Sequence, residues 1–106
     1  MAKQMYVYIM GNDRPTLYTG MTGNLTRRVQ LHKEELVEGF TKKYHIHDLL
    51  YYEVVEGQIQ AIAREKQIKD MNRIDKLKMI KNFNPEFRDL FYVLLNADSG
   101  RTSLPE

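Results

Sequence analysis

Met5-Tyr6-Val7-Tyr8-Ile9-Met10, then Gly11-Asn12-Asp13-Arg14-Pro15, then Thr16-Leu17-Tyr18-Thr19-Gly20-Met21, is the stretch whose reading decides the fold. The first run is β-branched and aromatic, the composition of a strand. Gly11 to Pro15 gathers the residue types that set turn geometry. Thr16 to Met21 reads as a second short strand, stopped by Thr22-Gly23-Asn24. Two such strands joined by about five turn residues make an antiparallel hairpin. Leu49 to Val55 has the same strand character and supplies a third strand.

Helices fill the rest. Asn24 is a good N-cap for a helix over Leu25 to Val37, whose Leu25, Val29, His32 and Leu36 fall on one stripe, with Gly39 ending it. Phe40 to His47 reads as a polar, basic loop. A long helix starts near Gln58 and should break, because Ala61, Ile62 and Ile68 share a face from which Met71, Ile74 and Leu77 drift. Asn72 with Asp75 forms a capping sequence. The expected pieces are one helix to Asp70 and another from Arg73 to Lys81. Asn84-Pro85 lies in a turn, Glu86 to Leu95 reads as a last short helix, and residues 96–106 as a polar tail. The order β-β-α-β-α-α predicts an α+β fold: a small three-stranded antiparallel sheet flanked by helices.

Composition narrows the function classes. The 106 residues suit one domain, placed at residues 1–95. The absence of cysteine excludes a disulfide framework, an iron–sulfur cluster and a cysteine zinc site. No apolar run reaches the ~20 residues of a membrane span. Met1-Ala2-Lys3-Gln4 lacks the apolar segment of a secretory signal, so a soluble cytoplasmic protein is expected. The formal charge of +2 hides an asymmetry: Arg64 to Lys81 holds seven cations against three anions, an excess of four. Such a run fits a solvated helix face or a polyanion partner.

Several residues are odd for a plain core. Glu65 lies about 40° from Ala61 and about 60° from Ile62 and Ile68, within an apolar stripe. A carboxylate there must reach water, pair with a lysine or bind a cation. His32 also lies on its helix's inward stripe, with Arg28 one turn earlier; it is either a satisfied core residue or half of a phosphate-facing pair. Tyr8 and Tyr18 fall on paired strands, as stacked core rings or as site residues. Gly20 inside a strand marks close approach of a backbone or ligand. His45 and His47 could bind a metal, but no third ligand is near in sequence.

These residues resemble, in order and spacing, the GIY-YIG nuclease domain. Tyr6-Val7-Tyr8 stands where that family has Gly-Ile-Tyr, and Tyr18-Thr19-Gly20 where it has Tyr-Ile-Gly. Asn24-Leu25-Thr26-Arg27-Arg28 matches its Asn-Leu-x-x-Arg helix start. Ala63-Arg64-Glu65-Lys66-Gln67-Ile68-Lys69 looks like the helix carrying its catalytic Glu, and Asn84 matches a downstream Asn. More narrowly, the chain resembles the stand-alone, single-domain bacterial members, which are similar to the N-terminal nuclease domain of the DNA-repair excinuclease. The chain departs at Tyr6, for Gly, and Thr19, for Ile, and no attached DNA-binding domain is expected.

The resemblance implies a metal-dependent endonuclease acting on nucleic acid, with DNA the expected form. It implies catalytic roles for Tyr8, Tyr18, Arg28, His32, Glu65 and Asn84, and one Mg²⁺ or Mn²⁺ on Glu65. It implies that Gly20 lets the backbone pack close to the scissile phosphate. Lys42, Lys43, Lys66, Lys69 and Arg73 would bind the substrate's phosphates. The general base is Tyr8, tuned by nearby cations, or His32 directly. The alternatives are a nucleic-acid-binding module without cleavage, and a protein-interaction domain with an apolar patch of Phe87, Phe91 and Tyr92.

Overall fold

The computed structural model describes residues 3–99. The hairpin forms as expected, with β1 at Gln4–Gly11 and β2 at Leu17–Thr22, antiparallel and with Tyr8 opposite Gly20. The Asn12 side chain organises the turn, its Oδ1 accepting from the Arg14 and Thr16 amides at 3.1 and 2.7 Å. The third strand, β3 at Asp48–Glu56, pairs antiparallel with β1, giving the order β2-β1-β3.

A central strand is covered on both faces, and alternation decides which side chain goes where. Val7 and Ile9 join Leu50, Ala61, Ile68 and Ile80 in one core cluster. Tyr8 and Met10 point the other way, into Leu25, Val29, Ile46, Leu49, Phe91 and Leu94. The first face is covered by α3 (Gln58–Asp70) and α4 (Arg73–Phe83), the second by α1 (Leu25–Lys33) and α5 (Phe91–Ser99). The break between α3 and α4 falls where the capping sequence places it: Asn72 Oδ1 accepts from the Asp75 amide at 2.8 Å.

Four expectations need correction. First, α1 stops at Lys33, not Val37. Glu35 adopts φ 56°, its amide donates to the His32 carbonyl, and the Leu36 amide donates to the Leu31 carbonyl. This Schellman closure satisfies the last carbonyls and turns Leu36 outward, 63% exposed. Second, the basic loop contains a short helix, α2 at Phe40–Lys43, closed in the same way with His45 at φ 51°. Third, Ile62 is exposed; the buried stripe of α3 is Ala61 and Ile68, with Glu65 half-buried beside them. Fourth, the last helix begins at Phe91, not Glu86. Phe87 at φ 52° interrupts the helical path, and Asp89 Oδ1 accepts from the Phe91 amide at 3.1 Å. Most of the expected tail, residues 100–106, lies outside the described residues.

Asn84 is a strut of this framework. The register passes from Ile9–Tyr51 to Met10–Leu49, skipping Leu50 at a β-bulge. The Leu50 carbonyl accepts instead from Asn84 Nδ2 at 3.1 Å. The same amide group donates to the Arg88 carbonyl at 2.7 Å, and Asn84 Oδ1 accepts from the Arg88 amide at 3.1 Å. Asn84→Ala leaves that buried carbonyl unpaired and is expected to cost about 1–3 kcal/mol in urea unfolding.

Candidate active site

Tyr8, Tyr18, Arg28 and His32, from β1, β2 and α1, meet beside the edge strand β2, and Glu65 on α3 lies within electrostatic range of Tyr8. Gly20 opens the space. A Cβ built there would meet the Tyr8 hydroxyl at 2.6 Å and Tyr8 Cζ at 2.7 Å, so the phenol lies directly across the glycine. Tyr18, two residues earlier, sits 6.4 Å from the Tyr8 ring centre. Gly20→Ala must displace a fully buried ring. It is expected to cost about 1–3 kcal/mol in chemical denaturation, as overpacking does, and to disturb the Tyr8 hydroxyl.

The cap on α1 supplies the next two groups. Asn24 Oδ1 accepts from the Arg27 amide at 3.1 Å, fixing the start of the helix. Arg28 then faces the two phenols; its contact with the Tyr8 hydroxyl holds its pKa above the ordinary arginine value, with a smaller contribution from Tyr18. One turn later His32 is buried, its Nε2 3.2 Å from the Tyr8 oxygen and its Nδ1 3.0 Å from Thr41 Oγ1. The ring also packs 5.4 Å from Tyr18. Thr41 carries no sequence signal for this role; it is buried on the short helix α2.

The proton positions follow from the partners. Arginine has no acceptor. The buried Tyr8 O–H therefore donates to His32 Nε2, which assigns the proton on His32 to Nδ1, donating to Thr41. Burial pushes the Tyr8 pKa up to about 12, against the pull of Arg28. Burial also pushes His32 down to about 4, helped by the Arg28 charge. Folding thus favours neutral His32. Its contribution to stability is present above pH 6.5 and lost as pH falls through about 4. The shift corresponds to about 3 kcal/mol. Denaturation of wild type and His32→Gln, compared at pH 7 and pH 4, should show a pH-dependent loss larger in wild type by that amount.

Glu65 reaches the site from α3. Its negative charge is among the influences that raise the Tyr8 pKa, which places it in the field of the phenol. The side chain is 21% exposed, and among the described residues its ion-pair partner is Lys69 Nζ at 3.6 Å. Arg64, next to it, clamps the helix: Nε and Nη2 bind both Glu53 oxygens at 2.8 and 3.1 Å. Burial raises the Glu53 carboxyl, but the Arg64 and Tyr51 hydrogen bonds outweigh it and hold the group low. In the bare sequence Arg64 stands out only as one cation among several.

Asn84 is not among the converging side chains; its amide is taken up by Leu50 and Arg88. The expected phosphate-binding residues each have local partners. Lys42 pairs with Glu38 at 3.1 Å and Lys66 with Asp70 at 3.5 Å, while Lys43 lies over the Tyr44 ring. Arg73 donates to the Pro15 carbonyl at 2.6 Å. A cavity of about 700 Å³ beside Pro15, Ile74 and Phe87 is lined by none of these residues.

The model of the GIY-YIG catalytic domain matches residues 4–78. The chain belongs to the GIY-YIG family. It is thereby placed in a nuclease family whose domain binds nucleic acid. Tyr8, Tyr18, Arg28, His32 and Glu65 all fall within the matched residues, whereas Asn84 falls outside them. A UPF0213 protein from Syntrophus aciditrophicus is 40% identical over 82 residues, 76% of this chain and 93% of the relative. One from Oceanobacillus iheyensis is 35% identical over 81 residues, 76% and 94% of the two chains. The solution structure of a UPF0213 protein from Bacillus halodurans superposes with a TM-score of 0.52 at 21% identity, covering 81% of this chain and 92% of that one. It shows the same GIY-YIG-type α+β fold. No helix among the described residues is long and apolar enough to cross a membrane.

Proposed function

We propose that this GIY-YIG protein is a divalent-metal-dependent endonuclease that hydrolyses phosphodiester bonds, with DNA the expected substrate. The observation that carries the reading is the Tyr8 hydroxyl, held between Arg28 and His32 Nε2 within the field of Glu65. Neutral His32 fixes the phenol so that, as the Tyr8 hydroxyl proton passes to Nε2, the Tyr8 oxygen takes the proton of the attacking water. In the free protein this transfer is uphill, because Arg28 and burial disfavour the imidazolium. A bound phosphate supplies negative charge that offsets both, so the relay opens only with substrate present.

Arg28 donates to a non-bridging oxygen as charge builds there. Tyr18 and Phe40, ring centres 6.5 Å apart, flank this corner. Glu65 fits a single hard cation: one accessible carboxylate, weakly paired, leaves the remaining positions to water and phosphate. A Mg²⁺ or Mn²⁺ ion there would neutralise charge on the phosphate and the departing 3′ oxygen. Lys42, Lys43, Lys66, Lys69 and Arg73 track the backbone; their surface pairs are worth about 0–1 kcal/mol and yield readily to phosphates.

The test incubates purified protein with plasmid DNA, branched DNA and RNA, with Mg²⁺ or Mn²⁺. Cutting of at least one substrate that stops in chelator is expected. Salt-sensitive binding of every substrate with no cut by either metal would replace the reading with a binding module.

A further inference from the structure

The loop histidines acquire a third partner that sequence spacing hides. Glu35 lies ten residues before His45, yet its Oε2 is 2.7 Å from His45 Nδ1 and 2.9 Å from His47 Nε2. The three ligand atoms all lie within 4.8 Å of one another. Two helix ends build this cluster. Glu35 and His45 occupy the left-handed positions that close α1 and α2, and His47 follows on the approach to β3.

We propose that Glu35, His45 and His47 form a second metal site, separate from Glu65, that takes Zn²⁺. The donor set favours that ion. Two neutral imidazoles suit a borderline-soft dication, whereas Mg²⁺ prefers oxygen. Two histidines and a carboxylate with an open fourth position is a recurring zinc arrangement. The geometry is nearly preformed: bonds of about 2.0 Å in a tetrahedron put ligand atoms about 3.3 Å apart. The Glu35–His separations of 2.7 and 2.9 Å need to open by about half an ångström, and the two ring nitrogens, within 4.8 Å of each other, need to settle at the same spacing. A cavity of about 530 Å³, lined by His45, His47, Asn12, Arg14, Lys43 and Asp48, adjoins the two histidines and leaves room for a water ligand. Without a metal, one carboxylate oxygen holds both rings, and their hydrogen bonds lower the Glu35 pKa.

The ion would staple the end of α1 to the end of α2. Those two elements carry His32 and Thr41, whose hydrogen bond positions the Tyr8 acceptor. Zinc would therefore stiffen the framework behind the candidate active site without touching it. The proposal does not depend on the nuclease reading, and its test reads binding and melting rather than cleavage.

The experiment titrates Zn²⁺, and separately Mg²⁺, into chelator-treated protein lacking any histidine tag, by calorimetry and thermal unfolding. One Zn²⁺ per chain with a raised Tm is expected, and Mg²⁺ should not reproduce the shift. His45→Ala and His47→Ala should each weaken Zn²⁺ binding beyond the roughly 10–100-fold that loss of an outer-shell partner costs. Glu35→Gln keeps a side chain that can bond the rings and should weaken binding while the apo protein stays folded. His32→Gln should still take one Zn²⁺. Absence of stoichiometric binding, or binding unchanged in the His45→Ala/His47→Ala double variant, would overturn the proposal.

Discussion

Glu65→Gln is expected to lower the single-turnover cleavage rate by about 10³-fold or more, while the protein melts almost as wild type does. A bound metal supplies several kcal/mol of charge stabilisation to the reacting phosphate, and each 1.4 kcal/mol is about tenfold in rate. The amide keeps the shape of the side chain but holds a cation poorly. The fold has little to lose, because the Lys69 partner at 3.6 Å is a surface pair worth about 0–1 kcal/mol. One further change separates site from scaffold. The Glu65 charge raises the Tyr8 pKa, so its removal should let that pKa fall. Ultraviolet titration of the tyrosines checks this without any nuclease assay. A Glu65→Gln protein that cuts at the wild-type rate would remove Glu65 from the chemistry.

Arg28→Ala is expected to slow cleavage by about 10²–10³-fold, the usual cost of losing one transition-state donor. Arg28→Lys should recover little, because a single ammonium cannot serve two phenols and a phosphate at once. The same substitution should move two neighbours in a predictable direction. Burial is the main cause of the low His32 pKa, and the Arg28 charge is the second. Removing that charge should raise the His32 value. Tyr8 should rise as well, since Arg28 pulls its pKa down against burial. An NMR titration of His32 that does not move would mean that Arg28 does not face the ring pocket.

The fold is legible in the sequence wherever local chemistry and tertiary need agree. The hairpin is one case: Gly11 to Pro15 reads as a turn, of which Gly11 closes β1, and the flanking residues fit a pleated surface. The α3–α4 break is another, because Asn72 and Asp75 cap a helix at the point where the apolar stripe loses its phase. Glu65 and His32 stand out because a polar group on an inward stripe needs a reason. What the sequence conceals depends on contacts made across the chain. Glu35 has no glycine-like signal for its left-handed turn; two histidines from the next loop hold its carboxylate. Thr41 belongs to a four-residue helix too short to show a period. Asn84 sits in the expected turn, but its work is to satisfy a bulge at Leu50 that only strand pairing reveals.

The same contrast explains the general base. Read from the chain, Tyr8 and His32 are rival candidates, each judged by its reference pKa. Read from the fold, they share one hydrogen bond. The phenol is held neutral at about 12 and the imidazole neutral at about 4, so the free site stores its proton on the tyrosine. On the proposed mechanism, a phosphate beside Arg28 would tie proton transfer in this pair to substrate binding.

The most direct measurement is a crystal structure of the protein soaked in Mn²⁺, read for anomalous density. The expected result is an ion bonded to a Glu65 carboxylate oxygen, on the side of Tyr8 and Arg28, with Lys69 displaced. A Glu65 side chain still paired with Lys69, and manganese absent there at saturating concentration, would contradict a metal-dependent site built on these five residues.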